Sequence, residues 1–265
     1  ISEVIVEGSR NNDLLIDTRA FFGCGSIAAV TLQGNGTTTP DTGITTIGTS
    51  AFENIKRLET LKVESGANII IGERAFAANE KLENPVYGEG AAINSIGKQA
   101  FADCGRLTEV VISKTTTSVG DGAFSNCEFI TTVSFEPDGQ NVTFGSDVFA
   151  GCKRLATVNL PATIGYFNGS VFAGCDAIQA INVDPANESF ATYDGALYTK
   201  DYEEILFYPR ALSGDLTKLH PELREIGANV FQGNPKVTAA NFNKNIVSIG
   251  DYAFVDCTAL ESVES

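Results

Sequence analysis

The sequence predicts an α/β solenoid in which each coil supplies one short strand and one short helical or 3₁₀ turn. Three observations carry this prediction. An Ala/Val-Phe-x-x-Cys motif recurs at a near-constant spacing, a glycine sits shortly before most copies, and a strand-like Leu-x-x-Val-x-Ile segment follows it. Fixed-period self-similarity of this length is the mark of a stacked-repeat architecture.

The register is set by phenylalanine. Nine of the seventeen Phe residues align, at Phe21, Phe52, Phe76, Phe101, Phe124, Phe149, Phe172, Phe231 and Phe254, with separations of 31, 24, 25, 23, 25, 23, 59 and 23. The regular repeat is therefore 23 to 25 residues. The 31-residue interval holds the polar loop around Asn35 to Pro40, and the 59-residue interval holds an insertion of about 36 residues. The clearest copy reads Ile96-Gly97-Lys98-Gln99-Ala100-Phe101, then Cys104, Leu107, Val110 and Ile112.

Each segment of the unit has a physical reading. Val110 and Ile112 alternate with outward residues at period two, which is a strand. Phe101, Cys104 and Leu107 recur at offsets of three, which predicts a short helical or 3₁₀ turn. Gly97, Gly120, Gly145, Gly227 and Gly250 precede that turn, where a sharp change of direction calls for a residue tolerant of positive φ. One unit cannot bury its own apolar edge. Stacking the units with strands ~4.8 Å apart builds a continuous core, and the phenylalanines then form a single column of rings.

The run Ile249-Gly250-Asp251-Tyr252-Ala253-Phe254-Val255-Asp256-Cys257-Thr258-Ala259-Leu260-Glu261-Ser262-Val263 resembles the leucine-rich repeat of the Bacteroides surface protein A type, also called the Treponema pallidum type. The likeness covers about residues 14 to 265. Departures are local: Ile55, Asn79 and Asn234 stand for Cys, Pro85 for the strand Val, and Asp17 and Asn168 for Gly. The resemblance implies a curved right-handed superhelix with a parallel sheet on its concave face. It also implies an exported protein of the extracellular space or cell surface, anchored through a segment outside this chain. The resemblance further implies a use, found in some members, in adhering to host matrix proteins or to other cells.

The six cysteines invite a disulfide framework, but Cys24, Cys104, Cys127, Cys152, Cys175 and Cys257 all occupy one repeat position. A position that also accepts Ile55 reads as a small buried site, and side chains in a parallel column all point the same way, which suits bridging poorly. Reduced, buried thiols are the expectation, ahead of occasional bridges or metal ligands.

The insertion, about residues 186–212 within a single solenoid spanning 1–265, reads as a β-hairpin turning at Lys200-Asp201-Tyr202-Glu203. Six aromatics fall between Phe190 and Tyr208. One reading packs them onto neighbouring coils; the other exposes Tyr198, Tyr202 and Tyr208 as a stacking platform for sugar or peptide. The first residues contain a strand-like Val4-Ile5-Val6, which reads as a coil lacking its own Phe, and Val263-Glu264-Ser265 ends in mid-strand; one reading places a further domain or partner at either end, the other has the charges of Glu261 and Glu264 protect the open strand.

Composition narrows function. With 18 Lys+Arg against 33 Asp+Glu the formal charge is −15, which disfavours nucleic acid and an anionic membrane surface. No apolar run approaches the ~20 residues of a membrane span, so direct membrane insertion is not expected. The single histidine, His220, precedes Pro221 and reads as a surface turn residue. No P-loop, Gly-x-Ser-x-Gly, His-Glu-x-x-His or Cys-x-x-Cys pattern is present, and no cofactor or metal is expected. Of four sequons, at Asn35, Asn141, Asn168 and Asn187, the third falls at a tight repeat position.

What remains is surface. The outward residue between the last two inward strand positions forms a column: Thr31, Lys62, Val86, Val111, Ser134, Asn159, Asn182, Asn241 and Glu264. Ser134, Asn159, Asn182 and Asn241 are the candidate ligand-binding residues, the three Asn being successive if the insertion loops out. Side-chain amides on a rigid ladder match sugar hydroxyls or peptide groups. The expected function is an extracellular or cell-surface binding and adhesion module, not an enzyme, engaging a host matrix or cell-surface protein or a glycan. The alternatives are a structural spacer presenting other domains and, behind it, a polysaccharide-active enzyme on a solenoid.

Overall fold

The computed structural model describes residues 1–7, 12–34, 36, 40, 42–166, 169–242 and 244–264. Asn35 and Asn168, and most of the polar loop from 35 to 41, lie outside them. The chain winds as a parallel-sheet β-solenoid. Ten strands of the Val-x-Ile type stack in groups of four, four and two. The first group is Glu3–Glu7, Ala29–Gln33, Thr60–Val63 and Val86–Tyr87, and the second is Glu109–Ile112, Thr132–Phe135, Thr157–Leu160 and Ala180–Val183. Ala239–Asn241 and Ser262–Glu264 make the last pair. The opening coil is confirmed, because Glu3–Glu7 pairs in parallel with Ala29–Gln33.

A second parallel sheet was not visible in the sequence. The two to five residues ending in the Ile-Gly step of each coil pair with their counterparts, so that seven strands from Leu14–Ile16 to Ile164–Tyr166 run along another face. These strands are too short to display a period-two signal of their own.

The segments expected to be helical are not. Among the described residues only Gly169–Phe172 and Leu216–Lys218 form 3₁₀ turns. The reason is the backbone alternation within each turn. Gln99 and Asp103 adopt left-handed conformations, with φ of 52° and 60°, and alternate N–H groups point out of the coil while those of Ala100 and Ala102 bond back to Gly97 and Gln99. Gln99 N, Phe101 N and Asp103 N donate to the carbonyls of Asp121, Ala123 and Ser125 in the next coil, at 2.8, 2.8 and 2.9 Å. Hydrogen bonds that a helix would keep for itself here tie neighbouring coils together.

The repeat glycines also differ from expectation. Gly97, Gly120, Gly145, Gly227 and Gly250 do not have positive φ. They are glycine because the preceding coil lies against them: a Cβ on Gly97 would stand 2.5 Å from the Gly72 carbonyl carbon, and one on Gly250 2.7 Å from Ala228 N.

The phenylalanine column is real but divided. From Phe21 to Phe172 seven rings stack with centroids 5.0 to 5.9 Å apart and planes within 8°. Phe231 and Phe254 form a separate stacked pair at 4.9 Å. The insertion stands between, and it does not loop out. Phe190–Tyr193, Ala196–Thr199 and Glu204–Phe207 form an antiparallel meander, whose last strand then pairs in parallel with Glu225–Ile226 and so replaces a coil of the second sheet. Its expected turn at 200–203 is present, and a second turn, at Asp194-Gly195, uses φ of 46° and 81°. The last residue of the meander's final strand, Phe207, and the one after it, Tyr208, serve the two sides. Phe207 packs edge-on against Phe172 at 5.6 Å, while Tyr208 packs against Phe231 at 5.2 Å. Two hydrophobic clusters result, meeting at this meander.

The first strand group ends at Pro85. Proline has no N–H, and Val86–Tyr87 does not pair with Glu109–Ile112. Asn84 fills the gap. Its Oδ1 accepts from Thr108 N and Glu109 N at 2.8 and 3.1 Å, where other coils use a backbone carbonyl.

Candidate functional site

The cysteine column resolves first. Cys104, Cys127, Cys152, Cys175 and Cys257 are buried free thiols, whereas Cys24 in the first Phe-marked coil is exposed, since no earlier coil of that kind covers it. Each buried thiol donates to the Phe carbonyl of the coil before: Cys104 to Phe76 at 3.3 Å, Cys127 to Phe101 at 3.1 Å, Cys152 to Phe124 at 3.3 Å, Cys175 to Phe149 at 3.0 Å and Cys257 to Phe231 at 2.9 Å. Burial pushes the Cys104 and Cys127 thiols up from the usual range, the reverse of what a nucleophile needs. The column is structural. Among the described residues no group of three or more His, Cys, Asp and Glu side chains is arranged to hold a metal ion.

The aromatic platform is also redrawn. Tyr198 is 1% exposed and Tyr208 6%, so neither is available to a ligand. Burial raises the Tyr198 hydroxyl to about 12, against the opposing hydrogen bond it accepts from His220 N. Tyr202 is half-buried and stacks flat on His220 at 4.1 Å, and Tyr193 meets the same imidazole edge-on at 4.7 Å. His220 is thus part of an aromatic cluster and not a free turn residue. Its Nδ1 accepts from Glu222 N at 3.2 Å. Asn187 is sealed: its Oδ1 accepts from Ser189 N and Phe190 N, both at 2.8 Å, which removes it as a glycan acceptor. Asn141 is exposed.

The outward column keeps its expected register through the first strand group and as two separate pairs in the second, where the ladder between Thr132–Phe135 and Thr157–Leu160 stops at Val133–Val158. Thr31 lies opposite Lys62 and Lys62 opposite Val86; Val111 lies opposite Ser134, and Asn159 opposite Asn182. The run of three asparagines does not survive. Asn241 is exposed on the terminal strand pair, opposite Glu264, because the meander separates that pair from Ala180–Val183.

Ser134, Asn159 and Asn182 do come together. They line an open groove of about 420 Å³ with Val133, Phe135, Leu160, Pro161, Val183 and Asp184. Asn182 Nδ2 donates to Asn159 Oδ1 at 2.8 Å, so the two amides hold one another in a fixed orientation. Asp184 accepts from Ala186 N at 2.8 Å in the turn that closes one end. Phe135, half-buried, packs edge-on against Phe144 at 6.3 Å. A larger groove of about 610 Å³ lies by Glu80, Glu83, Arg106 and Phe129. There the charges already pair, Lys56 with Glu80 at 2.9 Å and Arg106 with Glu83 at 3.8 Å, and Phe129 is covered by the Arg154 guanidinium at 4.2 Å.

The family follows from this architecture. The family model described as the BspA type leucine-rich repeat region matches residues 10–90, 70–194 and 215–265 in six copies, and the chain belongs to that family. The solved structures it resembles include the pneumococcal vaccine antigen PcpA, with a TM-score of 0.76 at 20% identity over 99% of this chain and 63% of that one. A leucine-rich cell surface protein from Faecalibacterium prausnitzii gives a TM-score of 0.75 at 22% identity, over 100% of this chain and 69% of the other. A leucine-rich repeat protein from Bacteroides ovatus gives 0.63 at 22% identity, over 99% and 65%. At these identities the likeness is one of fold, and this chain spans about two thirds of their length. No curated protein matches the sequence. Among the described residues no helix is long and apolar enough to cross a membrane.

Proposed function

We propose that this chain is a binding and adhesion module of the cell surface or extracellular space, acting as one continuous solenoid, and that it engages its partner through the strand face at Ser134, Asn159 and Asn182. The observation that carries the reading is the mutually held amide pair in an open groove on a backbone locked by stacked coils. A pre-ordered polar surface loses little conformational freedom on binding. A solenoid enzyme would need carboxylates and cations converging in one cleft, and this groove offers the single carboxylate of Asp184. The surface location draws support from family membership and from the Faecalibacterium neighbour, which is described as a cell surface protein.

The test is an array of matrix proteins and glycans probed with the intact chain and with the Asn159→Ala/Asn182→Ala double variant. Binding that the double variant loses supports the module and its face. Binding unchanged in the double variant places the site elsewhere, and no binding at all favours a structural spacer.

A further inference from the structure

We infer that the ligand class of the Asn159–Asn182 groove is a neutral, hydroxyl-rich glycan, an inference that rests on the binding reading above. Four observations lead there.

The first is the pattern of unused hydrogen-bonding groups. Once Asn182 Nδ2 has donated to Asn159 Oδ1, the pair presents Asn159 Nδ2 as donor and Asn182 Oδ1 as acceptor, and neither makes another hydrogen bond among the described residues. A hydroxyl is both donor and acceptor, so two adjacent sugar hydroxyls can satisfy both amides, one at each end. Ser134 adds a hydroxyl in the neighbouring coil, and its Oγ lies 3.5 Å from the Glu109 carboxylate.

The second is charge. Asp184 is the one charged residue lining the groove, in a chain of net charge −15. Sulfated or carboxylated sugars would meet repulsion and no cation, so the groove selects against them.

The third is apolar surface. Phe135, Leu160, Pro161 and Val183 line the same groove, and a pyranose offers C–H faces beside its hydroxyls.

The fourth sets a glycan apart from a peptide. Extended peptides gain affinity by pairing with a free strand edge. Thr132–Phe135 and Thr157–Leu160, which form most of the groove, are interior strands of their sheet, although they pair with each other only at Thr132–Thr157 and Val133–Val158. A peptide therefore finds no edge strand to extend here.

The experiment is isothermal titration of the full chain with neutral oligosaccharides (cello-, xylo- and manno-hexaose), with acidic ones (oligogalacturonate and a heparin hexasaccharide), and with a collagen and a fibronectin preparation. The expected result is binding of at least one neutral oligosaccharide, weakened about tenfold or more by Asn159→Ala and by Asn182→Ala. Far-UV dichroism and melting temperature should stay unchanged, as both side chains are exposed. Acidic-oligosaccharide or matrix-protein binding that is sensitive to the same substitutions would overturn the glycan class while leaving the face as the binding site. Binding insensitive to both substitutions would overturn the groove itself, and no titration signal in any arm would overturn both readings.

Discussion

Asn79 and Phe52 are joined across adjacent coils. Asn79 Nδ2 donates to the Phe52 carbonyl at 2.9 Å while its Oδ1 accepts from Ile55 N at 2.8 Å. The cysteines do the same job with one atom. Cys104 Sγ donates to the Phe76 carbonyl and is approached by the backbone N–H of Asn79. At this position Asn79 and the buried cysteines are thus united by a small side chain that both gives and receives a hydrogen bond, whereas Ile55 fills the same place by apolar burial alone.

Asn79→Ala should leave Phe52 O and Ile55 N buried without partners and cost about 3 kcal/mol. Asn79→Cys should cost less than about 1 kcal/mol. Urea denaturation of the two variants checks the pair; equal losses would contradict the hydrogen-bond account.

Gly97→Ala should be among the most damaging of small substitutions, about 3 kcal/mol or more, since its Cβ meets backbone of the preceding coil at 2.5 Å. Gly165 is the control: nothing lies within 4 Å of a Cβ there, and Gly165→Ala should be neutral or stabilising by about 0.5 kcal/mol. Thermal melts of both variants give the comparison.

Thiol chemistry should separate one cysteine from five. Ellman's reagent should modify Cys24 rapidly in the native protein and the other five only on unfolding. The raised thiols also make stability depend on pH. Above about pH 8.5 the unfolded chain releases thiol protons that the native state keeps, so stability should be fully present below that value and decline as pH rises beyond it. A urea midpoint that stays flat between pH 8 and pH 9.5 would contradict this.

Asn84→Ala should cost about 1–2 kcal/mol despite the partial exposure of the residue, because Thr108 N and Glu109 N lose their common acceptor. Asn84→Asp, which keeps an acceptor, should recover most of it. Hydrogen exchange at those two amides reports the contact directly.

Much of this molecule was legible in one register of phenylalanines. The coil length, the strand after each Leu and the outward column all follow from it, because inward and outward positions alternate strictly with the pleat, while the turn at 200–203 was legible from the β-rich runs on either side of it. The second sheet was hidden by strands of two to five residues. The helical expectation failed because offsets of three also fit a turn whose flanking residues, such as Gln99 and Asp103, are left-handed and whose alternate N–H groups bond to the next coil. His220 and Tyr193 could not be joined from sequence, since the fold of the meander alone sets them 4.7 Å apart. One signal was present and unread: Asn79 in the cysteine column pointed to hydrogen bonding between coils, whereas Asn234, just after the meander, accepts only from Lys236 N and leaves its buried Nδ2 without a partner among the described residues. Of the binding face, Ser134, Asn159 and Asn182 were found by alternation, while Phe135, Pro161 and Asp184 joined them only through the groove.

Coil-to-coil stacking through the aromatic column is tested most directly by a double-mutant cycle on Phe101 and Phe124, whose rings lie parallel at 5.4 Å. Each ring replaced singly by Ala should lower stability by about 3–5 kcal/mol. The double variant should show a coupling of about 0.5–1.5 kcal/mol between them. Strict additivity, or single losses below about 1 kcal/mol, would mean that the coils are held by something other than this column.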